Sequence, residues 1–115
     1  MSFADLHLHT RYSDGSWTPA ELVREAQRLG FAAIAITDHD TLDAIPEALA
    51  GAGIEILPGV EITCRVDTQE IHMLGYLPGD SWKSRELHVV LDHSRRVREK
   101  RITDIVARLN EVASR

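Results

Sequence analysis

Residues 31–37 read FAAIAIT, and this short apolar run decides the fold class that the sequence predicts. The run lies between Gly30 and the polar sequence DHD at 38–40. A continuous apolar segment of this length is typical of a strand that is covered on both faces, as the strands of parallel sheets are. The sequence therefore predicts an α/β fold, in which helices pack outside a mostly parallel sheet.

The segments before this strand fit the same pattern. Phe3–His9 alternates apolar and polar residues, which predicts a first strand. In the following segment Thr18 is placed to cap a helix, Pro19 suits its first position, and Glu21 completes a capping box. Gly30 ends this predicted helix.

After residue 41 the alternation of helices and strands continues. We predict a second helix, a third strand, a chain break at Pro58-Gly59, an antiparallel hairpin and a long C-terminal helix. The second helix is predicted at residues 42–50 and the third strand at 54–57. The hairpin pairs 60–66 with 71–76, and the last helix spans 82–115.

Composition restricts the class of protein. The 115 residues have a net charge of -5, and no apolar run approaches the length that a membrane helix needs. Cys64 is the only cysteine, which indicates a reduced compartment, and we expect a cytoplasmic protein. Residues 1–80 are acidic and suit cation binding, whereas the basic residues 81–115 could contact phosphate or be solvated.

Histidines and carboxylates form three candidate ligand clusters. His7 and His9 share one face of the first strand, within reach of one metal ion, although paired histidines also occur on solvated strands. His39 follows the second strand, at the end where such folds bind ligands. If the hairpin turns at Asp67-Thr68, Glu61 and His72 lie on one face as diagonal neighbours.

Asp14 adds a carboxylate in a Ser-Asp-Gly turn, where a turn-forming role is the alternative. Mixed imidazole and carboxylate ligands favour Mn, Fe or Zn over Mg or Ca. The candidate metal ligands are His7, His9, Asp14, His39, Glu61 and His72.

Two further groups are candidates for the reaction itself. Asp38 and Asp40 flank His39 and could transfer a proton or hold a ligand, but one of the polar residues here could instead cap the next helix. The basic sequence at 95–101 is either a solvated helix face or a source of guanidinium groups for a substrate phosphate. The candidate phosphate-binding residues are Arg95, Arg98 and Arg101.

Four motifs in one order, DLHLHTRYSDGSWTP, AITDHDT, PGVEIT and IHMLGY, resemble the PHP (polymerase and histidinol phosphatase) superfamily, and its metal-dependent phosphoesterases in particular. The resemblance implies the N-terminal part of a distorted (β/α)7 barrel, so residues 1–115 are expected to form the first portion of one such domain. A missing C-terminal segment or self-association would then cover the open sheet edge.

The resemblance also implies up to three divalent metal ions. His7 and His9 would bind one ion, Glu61 would bridge it to a second, and His72 would join the second. Asp14 and His39 would bind the third.

The implied activity is hydrolysis of phosphomonoesters of nucleotides or short oligonucleotides, and the expected partner is a small phosphorylated substrate. The chain could be inactive alone. The alternatives are a metal-dependent amidohydrolase and a non-catalytic module that binds metal or docks a partner.

Overall fold

The computed structural model describes residues 2–51 and 53–114. The elements in chain order are β1 (Ala4–Leu8), α1 (Pro19–Arg28), β2 (Ala33–Ile36), α2 (Ile45–Ala50), β3 (Glu55–Val66), β4 (Gln69–Tyr76), a 3-10 turn (Ser81–Lys83) and α3 (Arg85–Ala113). The predicted order of strands and helices, with a hairpin and a long last helix, is therefore confirmed.

The four strands form one curled sheet in the order β1-β2-β3-β4. β2 pairs parallel with both β1 and β3, whereas β3 and β4 pair antiparallel. The hydroxyl of Tyr76 in β4 donates to the carbonyl of Leu6 in β1 at 2.7 Å, although two strands lie between them in the sheet order. This contact requires the sheet to curl. The predicted α/β class with mostly parallel strands is confirmed.

The core lies around β2. Ile34, Ala35 and Ile36 are all buried, as expected of a strand covered on both faces. Val23 of α1 and Leu91 of α3 are buried in the same apolar cluster, so helices from both halves of the chain pack on the sheet. Burial of such side chains stabilises each by about 1.5–3 kcal/mol relative to exposure.

Local sequence signals define the ends of α1 as predicted. The Thr18 hydroxyl accepts from the Glu21 amide at 3.1 Å, and the Glu21 carboxylate accepts from the Thr18 amide at 3.3 Å. Gly30 follows the helix with φ of +82°, a conformation that other residues rarely adopt.

Two predicted boundaries are wrong. β3 runs without a break through Pro58 and Gly59, because Pro58 pairs with Ile36 and its carbonyl accepts from the Leu77 amide at 2.8 Å. α2 begins at Ile45 rather than at residue 42, since proline suits only the first positions of a helix and Pro46 sets its start.

Replacing Gly15 by alanine is expected to destabilise the protein by about 1–3 kcal/mol, as overpacking does. A β-carbon at Gly15 would lie 2.4 Å from the carbonyl oxygen of His9 and 2.9 Å from the carbonyl carbon of Thr10. Urea unfolding measures the change. Gly51→Ala is the matched control, because a β-carbon there meets nothing within 4 Å. Equal unfolding midpoints for the two variants would contradict this close approach.

Candidate metal centre

The carboxyl ends of the parallel strands and the adjoining hairpin place the six predicted ligands together. His9 follows β1 directly, and the carbonyl of its neighbour Leu8 accepts at 2.8 Å from the amide of Thr37, which directly follows β2. The first two strands therefore end side by side. The six residues lie on β1 (His7), in the loop after it (His9, Asp14), after β2 (His39), on β3 (Glu61) and on β4 (His72).

Glu61 lies at the centre of the cluster, with a side chain that is only 7% exposed. Its Oε1 lies 2.6 Å from His7 Nε2 and 3.2 Å from His9 Nε2. Its Oε2 lies 2.7 Å from His72 Nδ1 and 3.3 Å from His39 Nδ1. One buried carboxylate thus contacts four imidazole rings from four different segments.

Asp14 extends the cluster on the side of the first loop. Its carboxylate lies 3.1 Å from His39 Nε2 and 3.3 Å from His9 Nδ1. The rings of His9 and His39 stack with centroids 4.6 Å apart. The turn sequence therefore carries a carboxylate that faces two histidines, and its side chain remains exposed.

The hairpin has the predicted register, which brings His72 to Glu61. Thr63 lies opposite His72, and Glu61 lies opposite Leu74, so the side chains of Glu61 and His72 are diagonal neighbours on one face. The loop after β2 is held to the same strand, because Asp40 N donates to Glu61 O and Glu61 N donates to Asp38 O, each at 3.0 Å.

The donor atoms suit divalent cations. Three groups of residues each offer ligand atoms within 4.8 Å of one another, and His9, His39 and Glu61 each belong to two groups. Imidazole nitrogen with carboxylate oxygen is a donor set for Mn, Fe or Zn. The three groups are His7-His9-Glu61, His9-Asp14-His39 and His39-Glu61-His72.

The contacts of Glu61 lower the pKa of its carboxyl group. Burial raises the pKa of this carboxyl, whereas hydrogen bonds from His72 and His7 lower it. The nearby rings of His39 and His9 lower it further, and the resulting pKa is about 2, against an ordinary value of 4.5. In the metal-free protein the stabilisation from ionised Glu61 is present above pH 4.5 and is lost as the pH falls through about 2.

The pKa of His72 shifts in the opposite direction, upwards. The hydrogen bond to Glu61 raises its pKa above the ordinary value of 6.5, and a contact with Glu70 at 3.5 Å acts in the same direction. Stabilisation by protonated His72 is therefore complete below pH 6.5 and is lost as the pH rises through the raised pKa.

Glu61→Gln is expected to lower the pKa of His72 towards 6.5 in the metal-free protein, because it removes the largest cause of the shift. A titration of the imidazole proton resonances by NMR measures this change. Glu70→Gln is the comparison variant and should lower the same pKa by a smaller amount. A larger drop with Glu70→Gln would contradict the dominance of the Glu61 contact.

The two aspartates that were predicted to be catalytic are buried beside the cluster, and their carboxylates contact other groups. Asp38 accepts from the Thr10 amide at 2.6 Å, the Thr10 hydroxyl at 2.7 Å and the Ser13 hydroxyl at 2.7 Å. Asp40 accepts from the Thr63 amide at 3.0 Å and from the guanidinium of Arg98. These contacts hold the loop after β1 and the strand β3.

Thr10, Ser13 and Thr63 were not predicted as site residues. Ser13 lies 3.4 Å from His9 Nδ1, so it connects Asp38 to the cluster. Thr10 follows the His-x-His pair and is fully buried. A buried hydroxyl needs a hydrogen-bond partner, and the sequence alone offers too many candidates for each one.

The three predicted phosphate-binding arginines have different surroundings. Arg95 pairs with Asp92 on its own helix and donates to the carbonyl of Asp40 at 3.3 Å. Arg98 contacts Asp40, and Arg101 lies 3.9 Å from Glu70. Arg98 and Arg101 also line a cleft of about 470 Å³ between β3 and α3, whereas Arg95 is not among its lining residues.

Comparison with known proteins places the chain in a family. A sequence profile of the PHP domain matches residues 5–111. A 5'-3' exoribonuclease of Haemophilus influenzae is 37% identical over 110 residues, which cover 93% of this chain and 39% of that protein. A 3',5'-nucleoside bisphosphate phosphatase of Chromobacterium violaceum is 40% identical over 78 residues, which cover 65% of this chain and 27% of that protein.

Solved structures agree in fold. A candidate metal-dependent phosphoesterase from Bifidobacterium adolescentis superposes with a TM-score of 0.82 at 33% identity, over 96% of this chain and 39% of that one. The chain thus spans about two fifths, or less, of the length of the proteins that it matches. In the described residues, none of the helices is both long and apolar enough to cross a membrane.

Proposed function

This chain belongs to the PHP domain family, and on that premise we propose that its histidine cluster is the divalent-metal centre of a phosphoesterase. The observation that carries the proposal is the contact of one buried carboxylate, Glu61, with four imidazoles. Six candidate ligand side chains from five segments lie close enough together to bind cations. Their nitrogen and oxygen donors suit Mn, Fe or Zn.

We assign three neighbouring metal positions to the three ligand groups. His7 and His9 would hold the first with Glu61, and Glu61 would also serve the second together with His72. Asp14 and His39 would hold the third, where His9 Nδ1 lies close to the same carboxylate. Glu61 would be the shared ligand because its two oxygens face different histidines.

When bound, such ions make water a stronger nucleophile near neutral pH and neutralise charge on phosphoryl oxygens. The chain supplies the ordered ligands, and Glu61 remains ionised over the whole working range because its pKa is about 2. This chemistry needs no serine or cysteine nucleophile.

The substrate that we propose is a nucleotide or a short oligonucleotide. The two relatives are named for a nucleoside bisphosphate and for the 5'-3' degradation of RNA, and both names describe cleavage of phosphate esters. Arg98 and Arg101 line the cleft next to the cluster, where guanidinium groups match phosphate oxygens.

Phosphate release tests the proposal. The protein is loaded separately with Mn²⁺, Fe²⁺ or Zn²⁺ and given a nucleoside 3',5'-bisphosphate or a short 5'-phosphorylated oligoribonucleotide. We expect inorganic phosphate or a mononucleotide to be released, and chelation with EDTA to abolish the release.

His39→Asn is expected to reduce both metal content and release, because His39 contacts Asp14 and Glu61. His88→Gln is the matched control, since His88 lies on α3 and its ring contacts the carbonyl of Trp82 at 2.8 Å. Metal binding without any release of phosphate would contradict an active enzyme and favour either an N-terminal portion that is inactive alone or a docking module. Release of ammonia from an amide would favour an amidohydrolase.

A further inference from the structure

We propose that Asp40 is a positioning residue, which fixes Arg98 of α3 beside the histidine cluster so that its guanidinium can contact a substrate phosphate. The inference rests on the proposed function, because it concerns the phosphate partner of the same centre. In this role Asp40 acts by orienting Arg98 and does not transfer a proton.

The surroundings of Asp40 suit this task. Asp40 is fully buried and has φ of +51°, which turns the chain sharply after His39. One carboxylate oxygen accepts from the Thr63 amide at 3.0 Å, and the other accepts from Arg98 Nη2. The carboxylate thus joins the strand that carries Glu61 to the helix that carries Arg98.

Arg98 contacts Thr63, which is a neighbour of the cluster residue His72. Its Nη2 also donates to the hydroxyl of Thr63 at 2.7 Å, and Thr63 lies directly opposite His72 in the hairpin. The Arg98 side chain is 38% exposed and lines the cleft of about 470 Å³. A ligand in this cleft would therefore meet the guanidinium close to Thr63 and Glu70, which also line the cleft and are neighbours of His72.

A fixed orientation of the Arg98 guanidinium should strengthen phosphate binding. A free arginine loses rotamer entropy when a ligand immobilises it, and a partner that orients the planar group in advance reduces this cost. Asp40 is a suitable partner because it is buried and is itself held by a backbone amide. Arg101 has a looser contact, at 3.9 Å from Glu70.

Asp40→Asn separates positioning from simple support of the fold. The amide oxygen can still accept from Thr63 N–H, so β3 keeps its hydrogen bond, while the amide nitrogen cannot accept from Arg98. Arg98→Gln removes the cation, and Arg98→Lys keeps a charge near Asp40 but loses the planar fork.

The experiment measures the dissociation constant of inorganic phosphate by calorimetry on the Mn²⁺-loaded protein. We expect it to rise roughly tenfold in Asp40→Asn and in Arg98→Gln, and the double variant to bind no more weakly than Arg98→Gln alone. Bound manganese and the melting temperature are measured for each variant, and manganese content is expected to match the wild type. Asp43→Asn is the control, since exposed Asp43 lies 3.9 Å from Arg95.

Unchanged phosphate affinity in a folded Asp40→Asn protein would overturn the inference, as would additive effects in the double variant. If Asp40→Asn does not fold, Arg98→Lys decides, because wild-type affinity in that variant would show that the guanidinium orientation is irrelevant. A tenfold loss of phosphate affinity without hydrolysis of any nucleotide would instead overturn the proposed function and leave the positioning role intact.

Discussion

Replacing Glu61 by glutamine is expected to remove most of the bound metal, whereas Asp14→Asn removes a smaller share. The reason is that the two Glu61 oxygens face His7 and His9 on one side and His72 and His39 on the other, so one substitution affects two metal positions. The affinity loss should exceed the roughly 10- to 100-fold that follows removal of an outer partner of a ligand.

Elemental analysis after dialysis against a limiting chelator measures this effect. Glu70→Gln is the comparison for the loss of an outer partner, because Glu70 lies 3.5 Å from the outer nitrogen of His72, and it should release less metal than Glu61→Gln. An equal loss of metal in the Glu61 and Asp14 variants would contradict a shared role for Glu61.

Replacing Asp38 by alanine is expected to destabilise the protein by about 3 kcal/mol or more, since it leaves the buried amide and hydroxyl of Thr10 and the half-buried hydroxyl of Ser13 without their acceptor. Such a change is a large part of the roughly 5–15 kcal/mol that stabilises a typical domain. The isosteric Asp38→Asn should cost less, because one acceptor oxygen remains.

Urea unfolding with a fitted slope measures the free energy of both Asp38 variants. Asp104→Ala is the matched control: this aspartate is 60% exposed and pairs with Lys100 on the surface of α3, where the loss should stay within about 0.5 kcal/mol. A similar loss of unfolding free energy in the Asp38 and Asp104 variants would mean that the hydrogen bonds of Asp38 with Thr10 and Ser13 contribute little to stability.

Much of this fold could be predicted because local signals agree with the global arrangement. The apolar run at 31–37 indicated a covered strand, and the capping box indicated the start of α1. The hairpin register followed from a two-residue loop, because side chains alternate with a period of two. That register was sufficient to place Glu61 and His72 on one face.

Other features depend on tertiary contacts that no local pattern carries. Pro58-Gly59 is a typical turn sequence, but the pairing of Pro58 with Ile36 and the close packing of Gly59 on Thr37 keep the strand continuous. The partners of Asp40 are similarly non-local, since Arg98 lies 58 positions along the chain. Sequence could propose these charged residues, but not which of them meet.

The hydrogen bond between Tyr76 and Leu6 also links the two edge strands on either side of Glu61. Tyr76 stands four positions after His72, and Leu6 immediately precedes His7, so a single phenol spans the two outermost strands next to the two outermost rings. This one contact therefore joins the strand that carries His7 to the strand that carries His72, in addition to the hydrogen bonds of the sheet.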